Sequence, residues 1–141
     1  MDPTNSEMRY VENYSKLLRR QAEFCKLFTN EHRLRILTTL MHRKIELKEL
    51  NCKKEAVERT VTEIKDIIQE FFHTETSQAL ISQHLGLLRK QGAVSSRREG
   101  NQIYYKIADD RLMEVCDLVR SIVIGRAQEE GLMTEGLVLL D

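Results

Sequence analysis

Residues 77–107 read SQALISQHLGLLRKQGAVSSRREGNQIYYKI, and the periodicity changes halfway through the stretch. In the first half Leu80, Ile81, Leu85 and Leu88 recur at three- and four-residue spacings, which predicts a helix over 78–91 with one buried side. Ser77 suits its N-cap, because a serine oxygen can accept from the free backbone donors of a first turn. Gly92 suits its stop, where the chain turns left-handed. Gln78, Ala79, Ser82, Gln83 and Arg89 fall on the other faces of this helix. After Gly92 two β-prone runs, 93–98 and 102–107, flank Glu99-Gly100-Asn101. Glycine and asparagine tolerate positive φ, so the pattern predicts a β-hairpin with Arg97 and Arg98 near its tip. Side chains alternate along a strand, so one of Tyr104 and Tyr105 should pack inside and the other outside.

Upstream, HTETS at 73–77 is a polar connector whose side chains compete for backbone hydrogen bonds. Before it, Val57, Val61, Ile64, Ile67, Ile68 and Phe71 form a core-facing stripe that predicts a helix from Val57 onward. Residues 43–60 are charged with sparse apolar anchors and read as a solvated, helical or partly helical segment. Asn30 suits the N-cap of a short, mostly buried helix carrying Leu34, Ile36, Leu37, Leu40 and Met41. Residues 6–28 form a first helix with Tyr10, Tyr14, Leu17, Leu18, Phe24 and Leu27. Downstream, Asp109 and Asp110 suit the positive end of a last helix over 109–126. Its stripe is Leu112, Val115, Cys116, Val119, Ile122 and Val123. Residues 127–141 form an apolar tail without a clear period. The expected class is mainly α with a small β-hairpin, in one domain over 1–141.

Composition narrows the function. A chain of 141 residues is one domain's worth of sequence. Hydrophobic residues make up 41% and charged residues 31%, a globular balance. The start, MDPTNSEMRY, lacks the basic-then-apolar pattern of a signal peptide, and no run reaches a membrane span, so the expected location is cytoplasmic. Basic and acidic residues number 22 each, but they are unevenly placed. Local charge is +1 over 1–75, +4 over 76–107 and −5 over 108–141. The compact cationic segment is therefore the helix and hairpin of the opening stretch, and a positive face is what a phosphate backbone requires. Cys25, Cys52 and Cys116 are odd in number and without a CxxC pair, so free thiols are expected.

A helix, a short turn, a second helix with a polar outer face and then a basic hairpin are the parts of a winged helix-turn-helix, here over 62–91 and 93–107. A helix fits the DNA major groove, and a basic hairpin can lie on phosphates or reach the minor groove. The run Ser82 to Leu85, Leu88-Arg89, Gly92, Arg97 to Gly100 and Tyr104-Tyr105 resemble the recognition helix and wing of the ArsR/SmtB family of transcriptional regulators. FTNEHRLRILTTL, Phe28 to Leu40, resembles an earlier helix of the same family. The resemblance covers roughly 27–42 and 62–124. It implies a homodimeric repressor on a palindromic operator of double-stranded DNA, joined through the helices at 6–28 and 109–126.

It also places Gln78, Ser82 and Gln83 where the family reads bases, with His84, Arg89, Arg97 and Arg98 as further DNA contacts. Glutamine can pair bidentately with adenine, and serine can meet several bases. Many relatives sense metals, but the positions matching their ligand sites hold Thr60 to Ile64, or Lys44 to Leu47, and a last helix without histidine. Neither supplies the imidazole or thiolate cluster that borderline metals need, so neither a metal nor another cofactor is expected. A thiol- or sulfide-responsive regulator using Cys25 and Cys116 is one alternative. A protein-interaction module that has lost DNA is another. An enzyme is not expected, since His32, His42, His73 and His84 are scattered without carboxylate partners. Residues 43–60 are about fifteen longer than the family's usual connection. The sequence names no inducer.

Overall fold

Helix α1 (Asn5–Cys25) begins at a reciprocal cap, in which the Thr4 hydroxyl accepts from the Glu7 amide and the Glu7 carboxylate accepts from the Thr4 amide. In this computed structural model the described residues are 2, 4–43 and 55–132. They divide into two compact units, residues 1–34 and 35–141. In the first unit α1 runs straight into a single 3-10 turn, Lys26–Phe28, so the expected helix over 6–28 ends regularly at Cys25. None of its side chains is buried, and Met8, Tyr10, Val11, Tyr14, Leu17 and Leu18 all lie open. The Tyr10 and Tyr14 rings stack with centroids 6.3 Å apart. The Arg33 guanidinium donates to the carbonyls of Lys26 and Leu27 at 2.9 and 3.0 Å, closing the turn.

Helix α2 (Glu31–Met41) starts where expected. The Asn30 side chain accepts from the Arg33 amide at 3.2 Å. Ile36, Leu37, Leu40 and Met41 are buried, but Leu34 is exposed, contrary to the expected stripe.

The second unit holds the helix-turn-helix and hairpin. Residues 55–60 form no helix, and Arg59 instead enters a β-bridge, which corrects the expectation of helix for that part of 43–60. Residues 44–54, including Cys52, lie outside the described residues. This stretch has two tasks. It satisfies carbonyls at and just beyond the end of α2, through the Glu55 amide on Met41, the Val57 amide on Leu40, and the Arg59 guanidinium on Thr39, His42 and Arg43. It also bridges the hairpin, since Arg59 and Tyr105 exchange both backbone hydrogen bonds at 2.9 and 3.0 Å. Val57 is buried in this non-helical stretch, so its apolar character marked the core but not a helix.

Helix α3 (Val61–Phe72) therefore starts four residues later than expected. Thr60 sets that start, with a second reciprocal cap to Glu63. Ile64 and Ile68 are its buried residues. His73, left-handed at φ 49°, ends it. After a short connector the Ser77 hydroxyl accepts from the Leu80 amide at 3.1 Å and starts helix α4 (Gln78–Lys90). Ile81, Leu85 and Leu88 are buried on its inner side, and Leu80 is half-buried.

Gly92 takes φ 78° as the stop glycine, and strand β1 (Val94–Glu99) pairs antiparallel with β2 (Gln102–Ile107). Glu99 pairs with Gln102, so the turn is only Gly100-Asn101, shorter than the three residues expected. Gly100 supplies the positive φ, 59°, that a two-residue turn demands. Tyr105 is buried and Tyr104 lies on the opposite face, as the alternation required. Helix α5 (Arg111–Glu129) extends three residues beyond the expected end. Leu112 and Ile124 are its buried residues, while Val115, Leu118, Val119, Ile122 and Val123 are exposed. Most of its apolar stripe therefore stays open to solvent. The tail from residue 133 onward lies outside the described residues.

Candidate nucleic-acid interface

The recognition-helix candidate is α4, and its sequence leaves it one chemically open side. Three buried aliphatic residues at 81, 85 and 88 anchor the inner face. The outward residues Gln78, Ala79, Ser82 and Gln83 are then all exposed in the first half of the helix. No residue of α4 is acidic. An outward helix face with amide and hydroxyl donors, small residues and no carboxylate can approach an acidic groove without a repulsive term. Gly86 also faces out, with open space where a Cβ would stand, which lets another backbone come close.

The expected contact residues are not equivalent. Ser82 and Gln83 are exposed on the second turn. Gln78 sits at the first helical position and donates its Nε2 to the Thr62 hydroxyl at 3.2 Å, which ties its amide to α3. His84 is half-buried and already engaged. Arg89 is in the last turn, beside the negative end of the helix dipole, and its Nη1 donates to the Ser96 hydroxyl at 3.2 Å. That bond joins the end of α4 to the hairpin.

The two hairpin arginines separate at the level of register. Antiparallel pairing sets Val94, Ser96 and Arg98 on one face with Ile107, Tyr105 and Ile103. Ser95, Arg97 and Glu99 share the other face with Lys106, Tyr104 and Gln102. Arg98 is exposed and, among the described residues, has no carboxylate partner. Arg97 is fully engaged. Its Nε and Nη2 meet the Glu58 carboxylate at 2.8 to 3.0 Å, and its Nη1 meets Glu99 at 2.7 Å. Its guanidinium carbon lies 4.6 Å from the centre of the Tyr104 ring, directly across the ladder. The bidentate bond from Arg97, more than simple charge attraction, holds the Glu58 carboxyl below its ordinary pKa.

Sequence reasoning missed Glu58 and Thr62, the partners that orient Arg97 and Gln78. They lie 39 and 16 residues away in the chain, and no spacing rule reaches that far. The remaining chemistry is sparse. Among the described residues no group of three or more His, Cys, Asp or Glu side chains is placed to hold a metal ion, and no helix is long and apolar enough to cross a membrane. Cys25 is exposed in the first unit and Cys116 is half-buried in the second.

Comparison with known proteins gives this geometry its context. Rv0081 of Mycobacterium tuberculosis, named an uncharacterized HTH-type transcriptional regulator, is 31% identical over 107 residues, covering 76% of this chain and 77% of that protein. Its crystal structure matches with a TM-score of 0.61 at 27% identity, over 81% of this chain and 95% of that one. The homodimeric winged helix-turn-helix DNA-binding domain of Mb0332 from Mycobacterium bovis matches with a TM-score of 0.60 at 26% identity, over 84% and 89% of the two chains. The HTH-type regulator MJ1325 of Methanocaldococcus jannaschii is 48% identical over 42 residues, 30% of this chain; the match spans about half, 47%, of that relative. No family model matches the chain.

Proposed function

The chain belongs to the ArsR/SmtB family of winged helix-turn-helix transcriptional regulators, and on that premise we propose that it acts as a homodimeric repressor on a palindromic DNA operator. The observation that carries the reading is the acid-free outer face of α4 beside the cations of its last turn and the hairpin. In this reading the first two turns of α4 enter the major groove. Ser82 and Gln83 meet base edges, and Gln78 does so from an amide oriented by Thr62. His84, Arg89 and the hairpin contribute phosphate contacts, which fix register without reading sequence. The exposed apolar faces of α1 and α5 each meet the second copy, so that two α4 helices address two half-sites. A regulator seated on an operator in this way excludes other proteins from the same DNA.

The test is a mobility shift on the DNA upstream of the protein's own gene, against random duplex competitor at two salt concentrations. A shift that survives competitor supports the reading, and Gln83→Ala should then lose the preference for that fragment while keeping residual binding. No shift of any duplex at low salt overturns it.

A further inference from the structure

Two arginines side by side at a hairpin tip invite the same role, but their surroundings differ. Arg97 sits in a cluster with Glu58 and Glu99 whose formal charge is −1, and Lys106 on the same face only brings the sum to zero, so this face offers a phosphate no net attraction there. To reach a phosphate its guanidinium has to abandon a bidentate carboxylate, a second carboxylate and an aromatic ring together. Arg98 gives up no carboxylate. Its face is the one on which Ser96, two residues earlier, accepts from Arg89 of α4. The cations Arg89 and Arg98 therefore lie toward one side of the hairpin, and Arg97 lies on the other with Lys106 and the two carboxylates.

We propose that Glu58 is a positioning residue which latches Arg97 to the stretch before α3, fixing the hairpin beside α4 and leaving Arg98 as the hairpin's phosphate contact. The proposal rests on the DNA-binding reading above. It assigns Glu58, Arg97, Glu99 and Tyr104 to aiming the hairpin. The stretch that carries Glu58 is itself held by Arg59, through the carbonyls at the end of α2 and the backbone bridge to Tyr105. The latch thus references the hairpin to the same framework that places α3 and α4.

The experiment measures the full chain's affinity for a fluorescent mixed-sequence duplex across a salt series, for wild type, Arg98→Gln, Arg97→Gln, Glu58→Gln and the Glu58→Gln/Arg97→Gln pair. Each phosphate contact contributes about 0.9 to the slope of log affinity against log salt. Arg98→Gln should therefore flatten the slope by about 1.8 for a dimer. Arg97→Gln should weaken binding by about fivefold or less with the slope unchanged, as expected for loss of an exposed ion pair. Glu58→Gln should match it, and the double variant should be no weaker than either single one. Equal slope losses for Arg97→Gln and Arg98→Gln overturn the proposal. So does tighter binding by Glu58→Gln, which would make Glu58 a competitor for Arg97. If wild type binds no duplex, the DNA-binding reading falls, and with it the role of Arg98. The latch is then judged alone by the Arg97 Nε–H resonance, expected to be protected from exchange in wild type and unprotected in Glu58→Gln. An unprotected wild-type resonance overturns the latch itself.

Discussion

Ile122→Ala should weaken the proposed dimer by roughly 150-fold, and the number follows from what α5 leaves open. Ile122 is 62% exposed, and Val115, Leu118 and Val119 lie one and two turns before it, also open. Truncation to alanine removes three carbons, worth about 0.8 kcal/mol each when fully buried, or about 2.4 kcal/mol. Only the exposed 62% of that is left to gain at an interface, about 1.5 kcal/mol per protomer. A two-fold interface uses the residue twice, so the loss is about 3 kcal/mol, or roughly 150-fold in the dissociation constant. Alanine is a better helix former than isoleucine, so the helix itself is not weakened by the change. Sedimentation equilibrium over a protein concentration series reads the constant directly. The variant's operator affinity should fall at low protein concentration and return at high concentration, because only assembly is impaired. A dissociation constant within threefold of wild type would refute the assignment of α5's open face to the second copy.

Three further outcomes test the local physics. Thr60→Ala removes the cap that starts α3 and should cost about 1 kcal/mol in urea unfolding, and Ser77→Ala at the start of α4 should cost a similar amount; no loss at either site would mean the caps are not formed in solution. Gly92→Ala meets nothing within 4 Å, so its whole cost is the left-handed φ of 78°, about 1–2 kcal/mol, and an unchanged melting temperature would contradict that backbone. The Arg111 side chain and amide hold the Asp109 carboxyl down at about 2, so a carbon-13 titration should place its midpoint there, and Arg111→Gln should return it toward 3.8. Because the folded value is depressed, Asp109 stabilises above about pH 3.8 and loses that effect as pH falls toward 2; the difference in melting temperature between wild type and Asp109→Asn should close over that window.

How legible each element was depended on how local its determinants are. Helices α2 and α4 and the hairpin were readable because each carries its own start and stop: Asn30 and Ser77 as caps, Gly92 and Gly100 at positive φ. The start of α3 was misread because Val57 continues the helical spacing yet is buried from a non-helical stretch, and apolar periodicity reports burial before it reports conformation. Thr60 and Glu63 held the better signal, a threonine three residues ahead of a glutamate. At the interface, exposure of Gln78, Ser82 and Gln83 followed from the positions of Ile81, Leu85 and Leu88, since a helix with a fixed inner side has a fixed outer side.

The hairpin arginines show the opposite limit. Their alternation was implicit in any strand that contains both, so the sequence already placed them on opposite faces. Which of the two arginines keeps a free guanidinium depends on a carboxylate 39 residues away, delivered by a stretch whose own position rests on the buried Val57 and on backbone bonds to α2 and Tyr105. A charge count over 76–107 gives both arginines equal weight, whereas the folded chain spends one on its own carboxylates. On the proposed latch, the cationic surface the hairpin offers to DNA is smaller than the linear charge distribution implies.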